Sequence, residues 1–157
     1  GAINVAGNKN RVAEFNMFVD PEAASIVFKS EIKKVLIPLD ACNDVVLRLT
    51  DFEELKDTSY YVPIMSMMEK FIEGIGADEG VQGALVYDAV AAYFLLNPEA
   101  FKIEEMDIVV ETEGEYTFGM TVAEKRLGKS NNINCNVGMK VDEGQFRKDF
   151  LGILKRE

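Results

Sequence analysis

The sequence predicts an α/β domain in which short, buried strands alternate with helices. Three observations support this fold class. Asp20-Pro21-Glu22 is a strong helix start, residues 34–39 form a short apolar run typical of a buried strand in a parallel sheet, and helix and strand patterns follow one another from there to the C-terminus.

The first helix is predicted to run from Asp20 to about Phe28. Asp20 can accept hydrogen bonds from the first free backbone N–H groups of the helix. Pro21 suits the first helical position, and the negative charge of Glu22 favours the positive end of the helix dipole.

The strand at residues 34–39 is followed by Asp40, which lies just past the strand's C-terminal end, where open α/β sheets place ligand-contacting residues. The stretch Thr50-Asp51-Phe52-Glu53 is a capping box that starts a short helix. A longer helix is predicted over residues 62–73 and ends in Gly74 and Gly76. Its apolar stripe consists of Ile64, Met67, Met68, Phe71 and Ile72. The methionines of this helix either pack in the core or line a loose pocket.

Residues 85–96 carry alanines and large apolar side chains on almost every side, as a buried central helix does. Asp88 lies in the first turn of this helix. A carboxylate in an apolar helix is costly unless a cation or hydrogen-bond donors meet it. Two interpretations of Asp88 are open: stabilisation by the helix dipole, and contact with a metal ion or a sugar.

The C-terminal part predicts a hairpin, a strand and a helix. Residues 107–112 alternate as a strand does, Glu113-Gly114 is a turn signal, and residues 116–122 return as the second strand. A further strand is predicted at residues 133–141, and Asp142 caps a final helix. The residues of that helix expected to face inward are Phe146, Phe150, Ile153 and Leu154. No repeat or linker marks an internal boundary, so residues 1–157 are predicted to lie in one domain.

Composition and charge exclude several classes of protein. The chain has 157 residues, 48% hydrophobic and 28% charged, as in a soluble globular domain that buries roughly two-thirds of its unfolded surface. A net charge of −10 argues against a nucleic-acid partner, and no run approaches the roughly 20 apolar residues of a membrane span. The sequence contains no histidine, which excludes a Ser-His-Asp triad and an imidazole zinc site within it. Cys42 and Cys135 form no disulfide or metal pattern, so we expect reduced thiols in a cytoplasmic protein.

The first candidate binding residues precede the first helix. Asn8, Glu14 and Asn16 place three hydrogen-bonding side chains in a predicted loop. A carboxylate flanked by amides suits the hydroxyl groups of a sugar, each of which both donates and accepts hydrogen bonds. From these residues alone, a solvated polar loop is the alternative interpretation.

Several stretches of the chain resemble a known family. Gly7-Asn8, Ala13-Glu14-Phe15-Asn16 and the Val-Asp-Pro-Glu-Ala-Ala at residues 19–24 are similar to the central signature of the inosine–uridine-preferring nucleoside hydrolases. Leu39-Asp40, residues 87–98 and residues 117–122 resemble three further segments of that family, in order. The resemblance covers nearly the whole chain and corresponds to the C-terminal half of the family's domain.

The resemblance implies a fold, an activity and a cofactor. A complete family domain has a doubly wound, mostly parallel sheet flanked by helices, and this chain would supply its later strands and the hairpin. These enzymes cleave the N-glycosidic bond between ribose and base, and they use a calcium ion held at the bottom of the pocket. The transition state resembles an oxocarbenium ion, so a water must be activated on one face of the ribose.

Carried over residue by residue, the resemblance implies roles in the site. Asn8, Glu14 and Asn16 would hydrogen-bond the ribose, the latter two toward its 5′ end. Phe15 would form a wall of the sugar pocket. Asp88 would contact the ribose hydroxyls and supply one calcium ligand.

Two departures from the family pattern affect these expectations. Tyr87 stands where many members carry a histidine associated with protonating the leaving base; a tyrosine there either donates a hydrogen bond on the leaving-group side or is structural. The family's N-terminal Asp-Xaa-Asp-Xaa-Gly-Xaa-Asp-Asp cluster, which supplies most calcium ligands and the general base, is absent from this sequence. One carboxylate cannot make a high-affinity calcium site.

Two hypotheses follow. In the first, the chain is part of a ribonucleoside hydrolase, inactive alone and active with the missing N-terminal half. In the second, it is a non-catalytic ribose- or nucleoside-binding subunit, or a structural subunit, of the same fold. The expected partners are a nucleoside substrate, an N-terminal partner chain or fragment, and further copies of the chain, because an incomplete sheet leaves an edge free to pair. The expected setting is cytoplasmic purine or pyrimidine salvage, with the preference between purine and pyrimidine left open.

Overall fold

A computed structural model describes residues 1–76, 80–126, 128–129 and 132–156 of the chain. The chain divides into two units, one formed by Gly1–Ala41 with Phe101–Lys140 and the other by Cys42–Ala100 with Val141–Glu157. Each unit combines helices with strands, and the predicted α/β fold class is confirmed.

The bounds of the elements are as follows. The helices are α1 (Phe15–Val19), α2 (Pro21–Lys29), α3 (Leu39–Cys42), α4 (Tyr61–Phe71), α5 (Tyr87–Leu96) and α6 (Glu143–Leu154). The strands are β1 (Val35–Leu36), β2 (Val46–Leu47), β3 (Ala84–Leu85), β4 (Phe101–Met106), β5 (Ile108–Val110), β6 (Thr121–Ala123) and β7 (Cys135–Val141). Shorter helical turns occupy Leu49–Leu55, Ile72–Gly76 and Pro98–Ala100.

The first unit is built on two sheets with helix α2 beside them. Strand β7 lies between β1 and β4, and β1 runs parallel to β7 with Val35 opposite Asn136. Strands β5 and β6 pair antiparallel, with Val109 opposite Val122. The core of this unit consists of Phe28, Ile108, Val110, Cys135, Val137 and Met139.

The second unit packs helices on the short antiparallel pair β2 and β3. Its core consists of Leu47, Phe52, Leu55, Met68, Ala84 and Leu151. The hydroxyl of Tyr93 on α5 donates to Asp149 Oδ2 on α6 at 2.6 Å, and the rings of Tyr93 and Phe146 meet edge to face at 5.2 Å. These contacts fix α5 against α6 within the unit.

Both predicted aspartate caps are confirmed. Asp20 accepts a hydrogen bond from the N–H of Ala23 at 2.9 Å and begins α2. Asp142 accepts one from the N–H of Gln145 at 3.0 Å and begins α6. The predicted hairpin is also present as β5 and β6.

Several local predictions differ from the structure. The predicted loop before α2 contains the short helix α1. The Leu49–Leu55 turn is capped by Arg48 and Asp51 instead of Thr50, because the N–H of Arg48 donates to Asp51 Oδ2 at 2.7 Å. Met67 and Ile153, expected to face inward, are exposed.

The strand predicted at residues 116–122 begins only at Thr121. Residues 116–119 form a turn in which Gly119 has a φ of 78°, a conformation that interrupts a strand. Strand β4 was not predicted. Among the described residues, no helix is both long and apolar enough to cross a membrane.

Candidate functional site

Glu14 holds the start of α1 in the first unit. It is the N-cap of that helix, and Oε1 of its carboxylate accepts a hydrogen bond from the N–H of Asn16 at 2.8 Å. Oε2 accepts a longer bond from the N–H of Met17 and lies 2.9 Å from the amino nitrogen of Gly1. The residue is only 8% exposed. Its carboxylate is therefore an organising group for the backbone around it.

The same contacts set the acidity of Glu14. Burial raises the pKa of its carboxyl group, and the hydrogen bonds from the N–H groups of Asn16 and Met17 lower it. The pKa of Glu14 consequently lies below its ordinary value of 4.5, and the group is a carboxylate at neutral pH.

The loop before α1 is folded back on itself by two asparagines. Asn10 Oδ1 accepts hydrogen bonds from the N–H groups of Val12 and Ala13 at 2.9 and 2.7 Å. Asn8 Oδ1 accepts one from the N–H of Phe15 at 2.9 Å. Gly7 is required by close approach, because a Cβ there would lie 2.2 Å from the carbonyl oxygen of Ala13.

The 117–122 stretch packs against α1. Nδ2 of Asn10 donates to the carbonyl oxygen of Phe118 at 3.3 Å, and the rings of Phe18 and Phe118 meet edge to face at 5.8 Å. A Cβ on Gly119 would lie 2.8 Å from the Cα of Phe18. The glycine therefore allows the turn to lie directly against α1, which gives the 117–122 stretch a structural role.

The outer surface of this region combines amides and an aromatic ring. Asn8 and Asn16 are exposed, and Phe15 is 51% exposed. The Lys9 amino group lies 5.8 Å from the centre of the Phe15 ring. Because Asn8 Oδ1 is engaged by the backbone, its Nδ2 is the group free to donate outward. Exposed amides beside an aromatic face are groups that can bind the hydroxyls and the apolar face of a sugar.

Asp40 anchors the N-terminal segment. Its two carboxylate oxygens accept hydrogen bonds from the N–H groups of Ile3 and Asn4 at 2.8 and 2.7 Å. Asp40 follows strand β1, where open α/β sheets place ligand-contacting residues, but in this structure its carboxylate binds backbone N–H groups.

Tyr87 and Asp88 lie at the start of α5 in the second unit. Val86, the N-cap residue of this helix, gives no side-chain cap. Tyr87 is half-buried, and its carbonyl oxygen lies 4.0 Å from the thiol of Cys42. Asp88 is exposed in the first turn, where the helix dipole favours its negative charge.

The structure thus gathers the six candidate residues into two groups. Asn8, Glu14, Phe15 and Asn16 lie together in the first unit, and Tyr87 and Asp88 lie together in the second. Three surface cavities formed by described residues, of about 490, 470 and 340 Å³, are lined by other residues.

The donor groups of the described residues alone do not fit a calcium ion. Calcium takes six to eight oxygen ligands, usually with several carboxylates among them. Within residues 1–76, 80–126, 128–129 and 132–156, no group of three or more acidic, cysteine or histidine side chains could hold a metal ion. Asp88 can contribute one ligand to a site completed from outside these residues.

Sequence reasoning missed Asn10 and the supporting role of Gly119. An Asn-Xaa-Val-Ala stretch is a signal for an Asx turn, in which the side chain accepts N–H bonds from two and three residues ahead. The glycine signal at 119 was present, but its partner on α1 lies about 100 positions away in the chain and no local pattern marks it.

Comparison with known proteins identifies similar chains. The family model described as inosine-uridine preferring nucleoside hydrolase matches residues 1–148. The pyrimidine-specific ribonucleoside hydrolase RihA of Salmonella paratyphi B is 36% identical over 158 aligned positions, which cover 98% of this chain and 49% of that protein. The chain therefore spans about half the length of the curated relatives it matches.

Solved structures show the same fold. The purine-preferring ribonucleoside hydrolase from Gardnerella vaginalis superposes with a TM-score of 0.87 at 24% identity, covering 100% of this chain and 52% of the other. The plant nucleoside hydrolase PpNRh1 superposes with a TM-score of 0.83 at 19% identity, with the same coverage.

Proposed function

The chain belongs to the inosine-uridine preferring nucleoside hydrolase family, and on that premise we propose that it is part of a ribonucleoside hydrolase. In the proposed reaction, water adds to the anomeric carbon of the ribose as the N-glycosidic bond breaks, and the products are free ribose and the protonated base. The observation that carries the proposal is the family match over residues 1–148. The exposed amide and aromatic surface around α1, organised by Glu14, supports it.

In the first unit, we propose that Asn8, Asn16 and Phe15 bind the ribose. Asn8 donates through Nδ2, since its oxygen is engaged by the Phe15 N–H. Asn16 contacts the 5′ side of the sugar, and Phe15 packs against its apolar face.

For Glu14 we propose two roles. One is a hydrogen bond to the ribose near its 5′ end. The other is positioning, and it is supported by the bonds from the Asn16 and Met17 N–H groups, which hold the helix that carries Phe15 and Asn16. A ribose hydroxyl donating to this carboxylate benefits from the charge that the lowered pKa maintains.

In the second unit, we propose that Asp88 contacts the ribose hydroxyls and supplies one ligand to a calcium ion, the remaining ligands coming from the half of the domain that this chain does not match. When bound, such an ion lowers the pKa of a coordinated water and orders the diol of the sugar. Tyr87 lies next to Asp88 and is proposed to donate a hydrogen bond on the leaving-group side.

The proposed partners follow from the coverage of the relatives. Because the chain spans 49% of a related hydrolase, we propose that activity requires the complementary half of the domain, in the same polypeptide or a separate one. We also propose a homo-oligomer, and a cytoplasmic location in which the buried thiols of Cys42 and Cys135 stay reduced.

Release of ribose tests the proposal. The 157-residue chain would be expressed with the complementary half of the Salmonella paratyphi B RihA protein and assayed with inosine and uridine, with and without added calcium. The expected result is calcium-dependent ribose release by the assembled material and none by the 157-residue chain alone. Ribose release by the chain alone would contradict the requirement for a partner. Assembled material that releases no ribose from either nucleoside would contradict the proposed activity.

A non-catalytic nucleoside-binding subunit is the second candidate. One observation favours it: a tyrosine stands at position 87. Equilibrium dialysis with labelled inosine and uridine distinguishes the two. Binding that is independent of calcium and yields no free base supports the second candidate.

A further inference from the structure

The hydrophobic pattern of helix α5 does not define a single packing face. Asp88 is the only charged residue among its ten positions, and alanines and large apolar side chains make up most of the others. A helix with one apolar stripe turns that stripe toward the core, which sets its rotation about its own axis. Because α5 is apolar on almost every side, burial of apolar surface distinguishes only weakly between the rotations open to it.

A polar contact on the buried side of α5 distinguishes one rotation from the others. Tyr93 is only 4% exposed, and its hydroxyl donates to Asp149 Oδ2 on α6 at 2.6 Å. Nδ2 of Asn97, the C-cap residue of α5, donates to the same hydroxyl oxygen at 3.1 Å. A buried hydroxyl that loses its partners costs free energy, so rotations of α5 that break this contact are disfavoured.

The acceptor of this hydrogen bond is itself held in place on α6. Gln145 lies one turn earlier on the same side of α6, and its Nε2 donates to Asp149 Oδ1 at 2.9 Å. The hydrogen bonds from Gln145 and Tyr93 keep the pKa of Asp149 below its ordinary value, so the group is a carboxylate at neutral pH. The bond from Tyr93 is therefore charge-assisted, which makes it stronger than a bond between neutral groups.

We infer that the Tyr93–Asp149 hydrogen bond sets the rotation of α5 about its axis and thereby positions Asp88 for the proposed reaction. The inference rests on the proposed function, and it makes Tyr93 and Asp149 positioning residues that act through Asp88. Asp88 and Tyr93 lie on the same ten-residue helix, so a rotation of that helix moves both side chains.

A small rotation of α5 is enough to affect Asp88. The side chains of an α-helix reach about 5–6 Å from its axis, so a rotation of about 10° moves a group at that radius by roughly 1 Å. A displacement of this size in a catalytic site can cost about a hundredfold in rate. The buried contact with α6 therefore affects the ribose and metal contacts proposed for Asp88.

Kinetics of the assembled hydrolase test the inference. The 157-residue chain, in complex with the complementary half of the Salmonella paratyphi B RihA protein, is compared with its variant Tyr93→Phe. This variant loses the hydroxyl and keeps the ring that meets Phe146. The matched control is Tyr61→Phe, because the Tyr61 hydroxyl on α4 of the same unit also donates to a carboxylate, Glu53 Oε1, at 3.0 Å. Asp149→Asn is the conservative variant, since its amide oxygen can still accept from Tyr93.

Tyr93→Phe should lower kcat roughly tenfold and raise the calcium concentration that gives half-maximal ribose release. Tyr61→Phe should stay within about twofold of the unaltered protein, although both variants should shift the urea midpoint of unfolding to a similar extent. Asp149→Asn should keep kcat within about threefold. In a chain that already carries Asp88→Asn, Tyr93→Phe should not lower kcat further, because a positioning residue acts through the group that it positions.

Crystal structures of the unaltered chain and of Tyr93→Phe provide a readout that does not depend on activity. In the variant, α5 should be rotated by about 10° relative to α6, and the Asp88 carboxylate should be displaced by roughly 1 Å.

Three outcomes overturn the inference. One is an unchanged rotation of α5 in the crystal structure of Tyr93→Phe, and another is the same kcat for Tyr93→Phe and Tyr61→Phe. The third is a further loss of kcat when Tyr93→Phe is added to Asp88→Asn, which would place the effect of Tyr93 elsewhere. Failure of the proposed function looks different: the assembled proteins release no ribose, and the crystal structures still show whether α5 rotates. If ribose is released and α5 keeps its rotation, the function stands and the inference fails.

Discussion

The α1 region and the start of α5 carry the two groups of candidate residues, and they differ in how side chains support the local backbone. Around α1, side chains satisfy the backbone: Asn8, Asn10 and Glu14 together accept hydrogen bonds from five N–H groups of the segment from Val12 to Met17. At the start of α5, no side chain caps the helix, and Asp88 faces solvent.

This difference indicates which part of the proposed site is organised by the residues of this chain. The α1 region is held by hydrogen bonds within its own unit. The exposed positions of the Asn16 and Phe15 side chains therefore do not depend on a partner chain. The α5 region presents the Asp88 carboxylate in an exposed first turn, and the role proposed for it requires ligands from outside this chain. Predictions about the first region concern stability and nucleoside binding, and the prediction about the second concerns ribose release by the assembled hydrolase.

The largest expected effect is in the first region, at Gly119. Replacing Gly119 with alanine forces a positive φ of 78° on a residue with a Cβ and drives that Cβ toward the Phe18 backbone. We expect a loss of about 3 kcal/mol or more in the free energy of unfolding, measured in urea. Gly128→Ala is the control, with a φ of 69° and nothing within 4 Å of the added Cβ, and it should cost only about 1 kcal/mol. Equal costs at the two glycines would show that the turn does not support α1.

The next effect is in the second region, at Asp88. In hydrolase assembled with the complementary half, Asp88→Asn should lower ribose release roughly hundredfold, equivalent to about 2.7 kcal/mol, because a metal and ribose contact is lost. The stability of the variant chain should change by less than about 0.5 kcal/mol, because the side chain is exposed. Asp57→Asn, another exposed aspartate of the same unit, should leave the rate unchanged. An unaltered rate in Asp88→Asn would remove Asp88 from the proposed site.

Two asparagines of the first region separate stability from binding. Asn10→Ala removes the acceptor of two backbone N–H groups and should cost about 2 kcal/mol of folding stability. Asn16→Ala should leave stability within about 0.5 kcal/mol and weaken nucleoside binding by the assembled protein roughly tenfold. Urea unfolding and equilibrium dialysis measure the two effects. The distinction between supporting and contacting residues fails if both variants lose stability equally.

The smallest effect is the pH dependence due to Glu14. Its pKa is lowered in the folded chain, so the carboxylate stabilises the fold above pH 4.5, and this contribution disappears as the pH falls below that value. Glu14→Gln should therefore be less stable than the unaltered chain at neutral pH, and the difference should shrink on acidification. Thermal unfolding of both proteins from pH 7 to pH 3 measures this. A difference that is constant with pH would assign the effect to the shape of the side chain and not to its charge.

Local chemistry in the sequence accounts for much of this structure. Asp20 and Asp142 cap their helices as predicted, since a cap depends on residues within three positions of one another. The hairpin of β5 and β6 also follows from alternation and a nearby turn. The family resemblance, based on short motifs such as Ala13-Glu14-Phe15-Asn16, is confirmed by the match over residues 1–148.

The predictions that differed from the structure concern which side of an element is covered. Residues 85–96 were predicted to form a buried central helix, yet Leu95 and Leu96 are exposed in this chain. The prediction rested on apolar character, which does not indicate which side of a helix packs against the other residues of the chain. Met67 and Ile153 were expected to face inward and are exposed for a related reason. The apolar stripe of each helix is wider than the surface packed against it.

The sequence alone determined the family, the α/β class, the starts of α2 and α6, and the residue types available to the proposed ribose site. Only the tertiary structure decided how those residues are used. It engages Asn8 Oδ1, the Glu14 carboxylate and the Asp40 carboxylate with backbone N–H groups, and it leaves Asp88 and the leucines of α5 in solvent. The physical reason is the distance along the chain between the residues that interact. Caps and turns depend on neighbours in the chain, whereas burial and the partners of a polar group depend on residues far away in sequence. Phe118 is an example, since its carbonyl oxygen accepts a hydrogen bond from Asn10.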